Sequence, residues 1–94
     1  MKVTKDGKRY DSDKMETIAE RSLYSHSNNY AGSRCLKRAS DGTYWSVTES
    51  NGQDCHITDD IYPIENPVAF IEYLAMDDDQ ETRAVELGLI TIID

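Results

Sequence analysis

Basic residues nearly vanish from the second half of this chain. From Thr48 to Asp94 the 94-residue sequence holds one, Arg83, against twelve acids. That scarcity excludes a nucleic-acid contact through this half, because carboxylates repel phosphates. Cysteine is scarce too: Cys35 and Cys55 are the two in the chain. Two thiols cannot build the disulfide framework that holds small secreted domains together. With His26 and His56 they would supply four zinc ligands, but no C-x-x-C or H-x-x-x-H spacing is present. Cys55 and His56 are also adjacent, so on a strand they point to opposite faces. No metal is expected. Hydrophobic residues make up 38% of the chain and mean hydropathy is −0.65, so one thin core in one domain is expected. Apolar runs such as Leu87 to Ile93 are far too short to span a bilayer. Met1 to Asp6 has no apolar stretch of the secretory type. The expectation is a cytoplasmic protein with reduced thiols and no membrane partner.

Signatures of catalysis are missing as well. There is no P-loop and no Rossmann glycine pattern. Asp77-Asp78-Asp79 with Glu81 lacks the spacing of a calcium loop. Glu72, Glu81 and Glu86 belong to a carboxylate population too large to single out an acid/base pair. A Cys-His nucleophile has no third orienting group. The sequence reads as a non-enzyme without a cofactor.

What is present is charge, unevenly placed. Residues 1–47 carry nine bases and six acids, a balance of +3, and residues 48–94 balance at −11, for a total of −8. The basic half, with Lys2, Lys5, Lys8, Arg9 and Lys14 and, further on, Arg21, Arg34 and Arg38, forms a weak basic side near Tyr10 but lacks the aromatic interleaving of a single-strand binder, and the overall field opposes direct nucleic-acid binding. The acidic half should attract a basic surface, the kind that itself binds nucleic acid. A solvated face that only confers solubility is the plainer alternative.

Local patterns predict an α+β fold, a small antiparallel β-meander packed against two or three short α-helices. Asp6-Gly7 marks a hairpin that sets Val3 opposite Tyr10. Asp13 and Glu16 fit a capping box, and Met15, Ile18 and Ala19 share a helical face, so a helix is expected over 13–21. Residues 22–33 read as a loop in which Tyr24 and Tyr30 are secondary binding candidates, tyrosine giving area and the neighbouring Ser and Asn hydrogen bonds. Asp41-Gly42 predicts a two-residue type I′ hairpin pairing Leu36 with Val47, Arg38 with Trp45 and Arg34 with Glu49. Asn51-Gly52 would return the chain as a third strand at 54–57. In that register Cys35 and Cys55 lie two strand spacings apart, roughly 9–10 Å, too far for a disulfide. Asn66-Pro67 starts a helix with Val68, Ile71, Leu74 and Ala75 on its buried stripe. A second helix is expected at about 79–87, closed by Gly88. Leu89 to Ile93 should form a terminal strand or a packed segment.

Gly7-Lys8-Arg9-Tyr10-Asp11-Ser12-Asp13-Lys14, followed by Ile18-Ala19, resembles the opening of a group of small phage- and plasmid-borne proteins. The order of motifs continues through Leu36-Lys37-Arg38-Ala39-Ser40-Asp41-Gly42-Thr43-Tyr44-Trp45. Ile61-Tyr62-Pro63-Ile64 and Ala69-Phe70-Ile71-Glu72-Tyr73-Leu74 follow, so the resemblance spans about residues 1–76. Two departures stand out. Glu49 to Asp54 replaces a Gly-rich stretch, and 77–94 extends past the usual end. Some proteins of this kind are anti-CRISPR proteins. The resemblance therefore implies a phage inhibitor of a Cas protein or CRISPR effector complex, type I preferred, acting through a DNA-mimicking acidic surface. The acids expected to make the contact are Asp59, Asp60, Glu65, Glu72, Asp77, Asp78, Asp79 and Glu81. The alternative is a phage or plasmid accessory module that binds another host protein through Tyr24 and Tyr30.

Overall fold

The structure, a computed structural model, describes residues 1–52 and 56–94. It is an α+β fold with a two-stranded and a four-stranded antiparallel sheet and two short α-helices. Strands β1 (Lys2–Lys5) and β2 (Lys8–Asp11) form the first hairpin, with Val3 opposite Tyr10 as expected. Asp6 and Gly7 have φ of 52° and 75°, the double positive pair that a type I′ turn requires.

The expected helix over 13–21 is not formed. Asp11 accepts the Asp13 amide and caps a single 3-10 turn at Ser12–Lys14, after which Met15 is already extended. Glu16–Tyr24 is strand β3, paired with β4 (Tyr30–Arg38). A β-bulge between Thr17 and Ala19 explains the misleading spacing. The extra residue lets both Ile18 and Ala19 enter one core, while Met15 enters the other. Three apolar residues at helical spacing thus lie on a bulged strand. The loop expected at 22–33 shrinks to 25–29, since its flanks are paired strand residues. Gly32 in β4 packs so close to β5 (Tyr44–Ser50) that a Cβ there would run into the Glu49 carbonyl oxygen.

The β4–β5 hairpin exists, but one residue out of the expected register. Leu36 pairs with Ser46, Cys35 with Val47, Lys37 with Trp45, Arg38 with Tyr44 and Arg34 with Thr48. Ala39 N–H donates to Thr43 O and Gly42 N–H to Ala39 O, so Ser40-Asp41-Gly42 is a three-residue loop with Gly42 at φ 90°. The slip moves side chains between faces. Leu36 joins Ile18 and Ala19 on one face, and Trp45 and Val47 join Met15 on the other.

The last strand is β6 (Asp60–Ile64), paired to β5, so sheet order follows chain order from β3 to β6. The strand expected at 54–57 falls partly outside the described residues; His56 and Ile57, which are described, are not strand. Cys35 is a free, buried thiol, and Cys55 lies outside the described residues.

Both helices begin where capping chemistry puts them. Asn66 accepts the Ala69 amide at 3.2 Å to open α1 (Pro67–Ile71). Its stripe is narrower than expected: Ile71 is buried and Leu74 half-buried, but Val68 and Ala75 are exposed. Ala75 instead exchanges two backbone hydrogen bonds with Glu20 and covers part of the β3 edge. Asp77 and Gln80 form a reciprocal capping box on α2 (Asp78–Glu86), and Gly88 follows its end with φ 74°. Beyond it Leu89 is buried and Ile90 half-buried, but residues 91–94 are exposed and form no strand.

Two cores result. On one face of the large sheet, Ile18, Ala19 and Leu36 meet Ile71 of α1, Ala84 of α2 and Leu89. On the other, Met15, Ala39, Trp45 and Val47 meet Val3 and Tyr10 of the β1–β2 hairpin. The molecule is a flat slab with extents of 42 × 37 × 19 Å.

Candidate partner-binding surface

All eight acids singled out in the sequence are exposed. None belongs to an ion pair among the described residues, whose four pairs are Lys5–Asp6, Lys8–Asp41, Arg83–Glu16 and Arg83–Glu86. The fold does not gather the eight into one cluster. Asp59 and Asp60 stand at the start of β6, one edge of the large sheet. Glu65 lies just past the other end of that strand, roughly 16 Å away at the rise of a strand. Glu72 caps the end of α1. Asp77, Asp78, Asp79 and Glu81 surround the start of α2, which packs along β3, the opposite edge. Three strand spacings, roughly 14 Å, separate those edges. The acids therefore follow the chain from one side of the slab to the other. Among the described residues no group of three His, Cys, Asp or Glu side chains is placed to hold a metal ion.

Two of the eight have structural duties. Asp77 is the α2 cap, and Asp59 accepts the Ser50 amide at 2.7 Å and ties β6 to the end of β5. Beside Glu65 opens a shallow groove of about 460 Å³ lined by Pro63, Ile64, Ala69, Phe70 and Tyr73. Tyr73 is 72% exposed, so an aromatic side chain stands close to the acids.

Tyr24 and Tyr30 come together across the mouth of the β3–β4 hairpin. Their rings are 6.4 Å apart and edge-on, and both are exposed. The tip between them is ordered by its own bonds, Ser25 N–H to Asn29 O and Asn28 N–H to Ser25 O, with Asn28 at φ 62°. Asn51 donates a side-chain N–H to Tyr30 O, which places this tip at the same end of the sheet as Asp59.

Two features escaped sequence reasoning. One is the seam between the hairpins. Tyr10 O–H donates to Asp41 Oδ2 at 2.7 Å, Thr43 donates to Asp41 Oδ1 at 2.6 Å, and Trp45 Nε1 donates to Thr43 Oγ1 at 2.9 Å. The Thr43 and Tyr10 hydroxyls hold the Asp41 carboxyl well below the usual carboxylate range, and the bond to Asp41 raises the Tyr10 phenol. The other is a row of polar side chains on the helix-bearing face, Arg21, Arg34, Thr48 and Asp60, opposite one another from β3 to β6. The expected Arg34–Glu49 pairing had hidden it. Cys35, by contrast, offers no reactive thiolate: burial pushes its thiol up.

Fold and surface define a small α+β domain with a two-stranded hairpin on one face of a four-stranded meander, a helical cover on the other and exposed acids along both sheet edges. No family model, no curated protein and no solved structure matches this chain. Among the described residues no helix is long and apolar enough to cross a membrane.

Proposed function

We propose that this protein is a non-enzymatic inhibitor that covers a basic, nucleic-acid-binding surface of a partner protein, a Cas subunit or CRISPR effector complex. The observation that carries the reading is a set of eight exposed acids along the rim of the slab, none of them in an ion pair among the described residues. Carboxylates already paired within the chain would have little attraction left for a partner's Lys and Arg. Magnitude refines the target. A 42 Å length of DNA, matching the long axis of the slab, carries roughly twelve charges per strand and about twice that as a duplex. Eight acids approach the density of one strand and fall far short of two. The surface therefore suits a groove that holds a single displaced strand. The groove at Tyr73 offers an apolar contact that a nucleic acid lacks.

The test is target-DNA binding by purified type I and type II effectors, with and without this protein, at two salt concentrations. One effector should lose DNA binding, and high salt should restore it. Reversing Glu65, Glu72, Asp79 and Glu81 to Lys, which spares the structural Asp59 and Asp77, should abolish inhibition while the circular dichroism spectrum stays native. Full inhibition by the folded, reversed variant refutes the electrostatic mechanism.

A second reading rests on the Tyr24–Tyr30 pair: an accessory module that grips another host protein through the hairpin tip. It predicts the reverse sensitivity, with Tyr24→Ala and Tyr30→Ala damaging and the charge reversals harmless.

A further inference from the structure

The register of the meander leaves two arginines face to face. Arg21 of β3 stands directly opposite Arg34 of β4, and both are exposed on the face that also carries Leu36. Like charges directly opposite on paired strands are destabilising. The chain has eighteen acids with which to relieve that repulsion. Yet neither arginine belongs to an ion pair among the described residues, whereas Lys5, Lys8 and Arg83 each do. Glu49, which a two-residue turn would have set against Arg34, pairs with Ser33 on the opposite face. Asp60 ends the row, but it lies two strand spacings from Arg34, roughly 10 Å.

The arginines are also partly organised. Arg34 Nε donates to Thr48 Oγ1 at 3.3 Å, which leaves both its terminal nitrogens for another acceptor. Thr48 is buried; its oxygen accepts from Arg34, so its proton is available to a further oxygen. A cleft of about 300 Å³ opens beside Arg34 and Thr48, with Tyr62 and Asp60 on its far wall.

We propose that Arg21 and Arg34, with the Thr48 hydroxyl, form a binding site for a phosphate group. Two guanidinium groups bring two positive charges and planar forks that match tetrahedral oxyanions bidentately. A phosphate monoester brings a charge of about −1.5 to −2 and three acceptor oxygens, so it neutralises both arginines and uses the hydroxyl. A carboxylate neutralises only one. The site is independent of the acidic-flank reading; Asp60, at the far end of the row, is the one residue they share.

The test is thermal unfolding of the full chain in a low-salt buffer, titrated with inorganic phosphate, with phenyl phosphate, or with sodium chloride at matched ionic strength. Phosphate should raise Tm by a few degrees beyond chloride. Amide shifts on titration should centre on residues 21, 34 and 48. Arg21→Gln and Arg34→Gln should each weaken phosphate binding roughly tenfold or more. Each should also unfold at a higher temperature than the wild type without anion, because the repulsion is gone. Tighter binding of phenyl phosphate than of inorganic phosphate would identify an esterified phosphate seated in the cleft, and equal binding the free anion. A phosphate effect no larger than chloride's, or one that survives in either variant, overturns the proposal.

Discussion

The two faces of the four-stranded sheet are closed by different means. One is covered by the β1–β2 hairpin, which plants Tyr10 against Trp45 with ring centroids 4.6 Å apart and locks the contact through Asp41 and Thr43. The other is covered by α1 and α2, and only in part: Leu36 is fully buried while Arg34, two residues earlier on the same face, is exposed. The hairpin side is a polar-rimmed aromatic contact, and the helix side is aliphatic packing that stops short of the sheet's end. Glu72, Asp77, Asp78, Asp79 and Glu81 lie with the helices, and Lys2, Lys5, Lys8 and Arg9 lie on the hairpin that covers the other face.

Removing the centre of the hairpin-covered face should have the largest effect. Trp45 is 1% exposed and is the largest fully buried side chain. Trp45→Ala should cost about 3–5 kcal/mol, a large share of the stability of a domain of this size. Urea unfolding followed by far-UV circular dichroism measures it. A loss below about 1 kcal/mol would mean that the hairpin is an ornament on a sheet held by its helices alone.

The helix-covered face should yield a smaller loss at its cap. Asp77→Ala removes the acceptor of the Gln80 amide and half of the capping box, which should cost about 1 kcal/mol. Faster hydrogen exchange should be confined to the amides at the start of α2, with the strand amides of the opposite face unchanged. Spread of the effect to residues 44–48 would show that the two cores are energetically one.

How much of this was legible beforehand depended on whether a feature is local. Asp6-Gly7 specifies its own turn, and Asn66-Pro67 and Asp77 specify helix starts, because caps and I′ turns are decided by a few adjacent atoms. Asp41-Gly42 looks the same in sequence but makes a longer loop: the Asp41 side chain accepts both the amide and the hydroxyl of Thr43, Thr43 closes the turn against Ala39, and Ser40 is left in the loop. That one residue moves Trp45 and Leu36 to opposite faces, frees Arg34 from Glu49 and sets it against Arg21. The bulge at Ile18 is of the same kind, a tertiary choice that imitates helical spacing. Of the candidate site, the exposure of the eight acids followed from composition; their spread over both sheet edges did not, because strand order is a long-range property.

The smallest effect, and the finest test of the comparison, lies in the seam between the hairpins. Asp41 has a carboxyl held below the ordinary carboxylate range by Thr43 and Tyr10. A group whose folded-state pKa is depressed contributes stability above its unfolded value, near 3.9 for Asp, and loses it as pH falls through the folded value. The hairpin-covered face, which Asp41 ties together, should therefore loosen in acid, below about pH 4. Asp41→Asn keeps the shape but weakens acceptance of both hydroxyls, and should flatten the acid limb of the stability profile while leaving neutral stability only slightly reduced. Tyr10 and Trp45 ring resonances report the seam, and methyl resonances of Leu36 and Ile71 report the other face. Simultaneous loss of both sets on acidification, unchanged in Asp41→Asn, would place the acid sensitivity elsewhere.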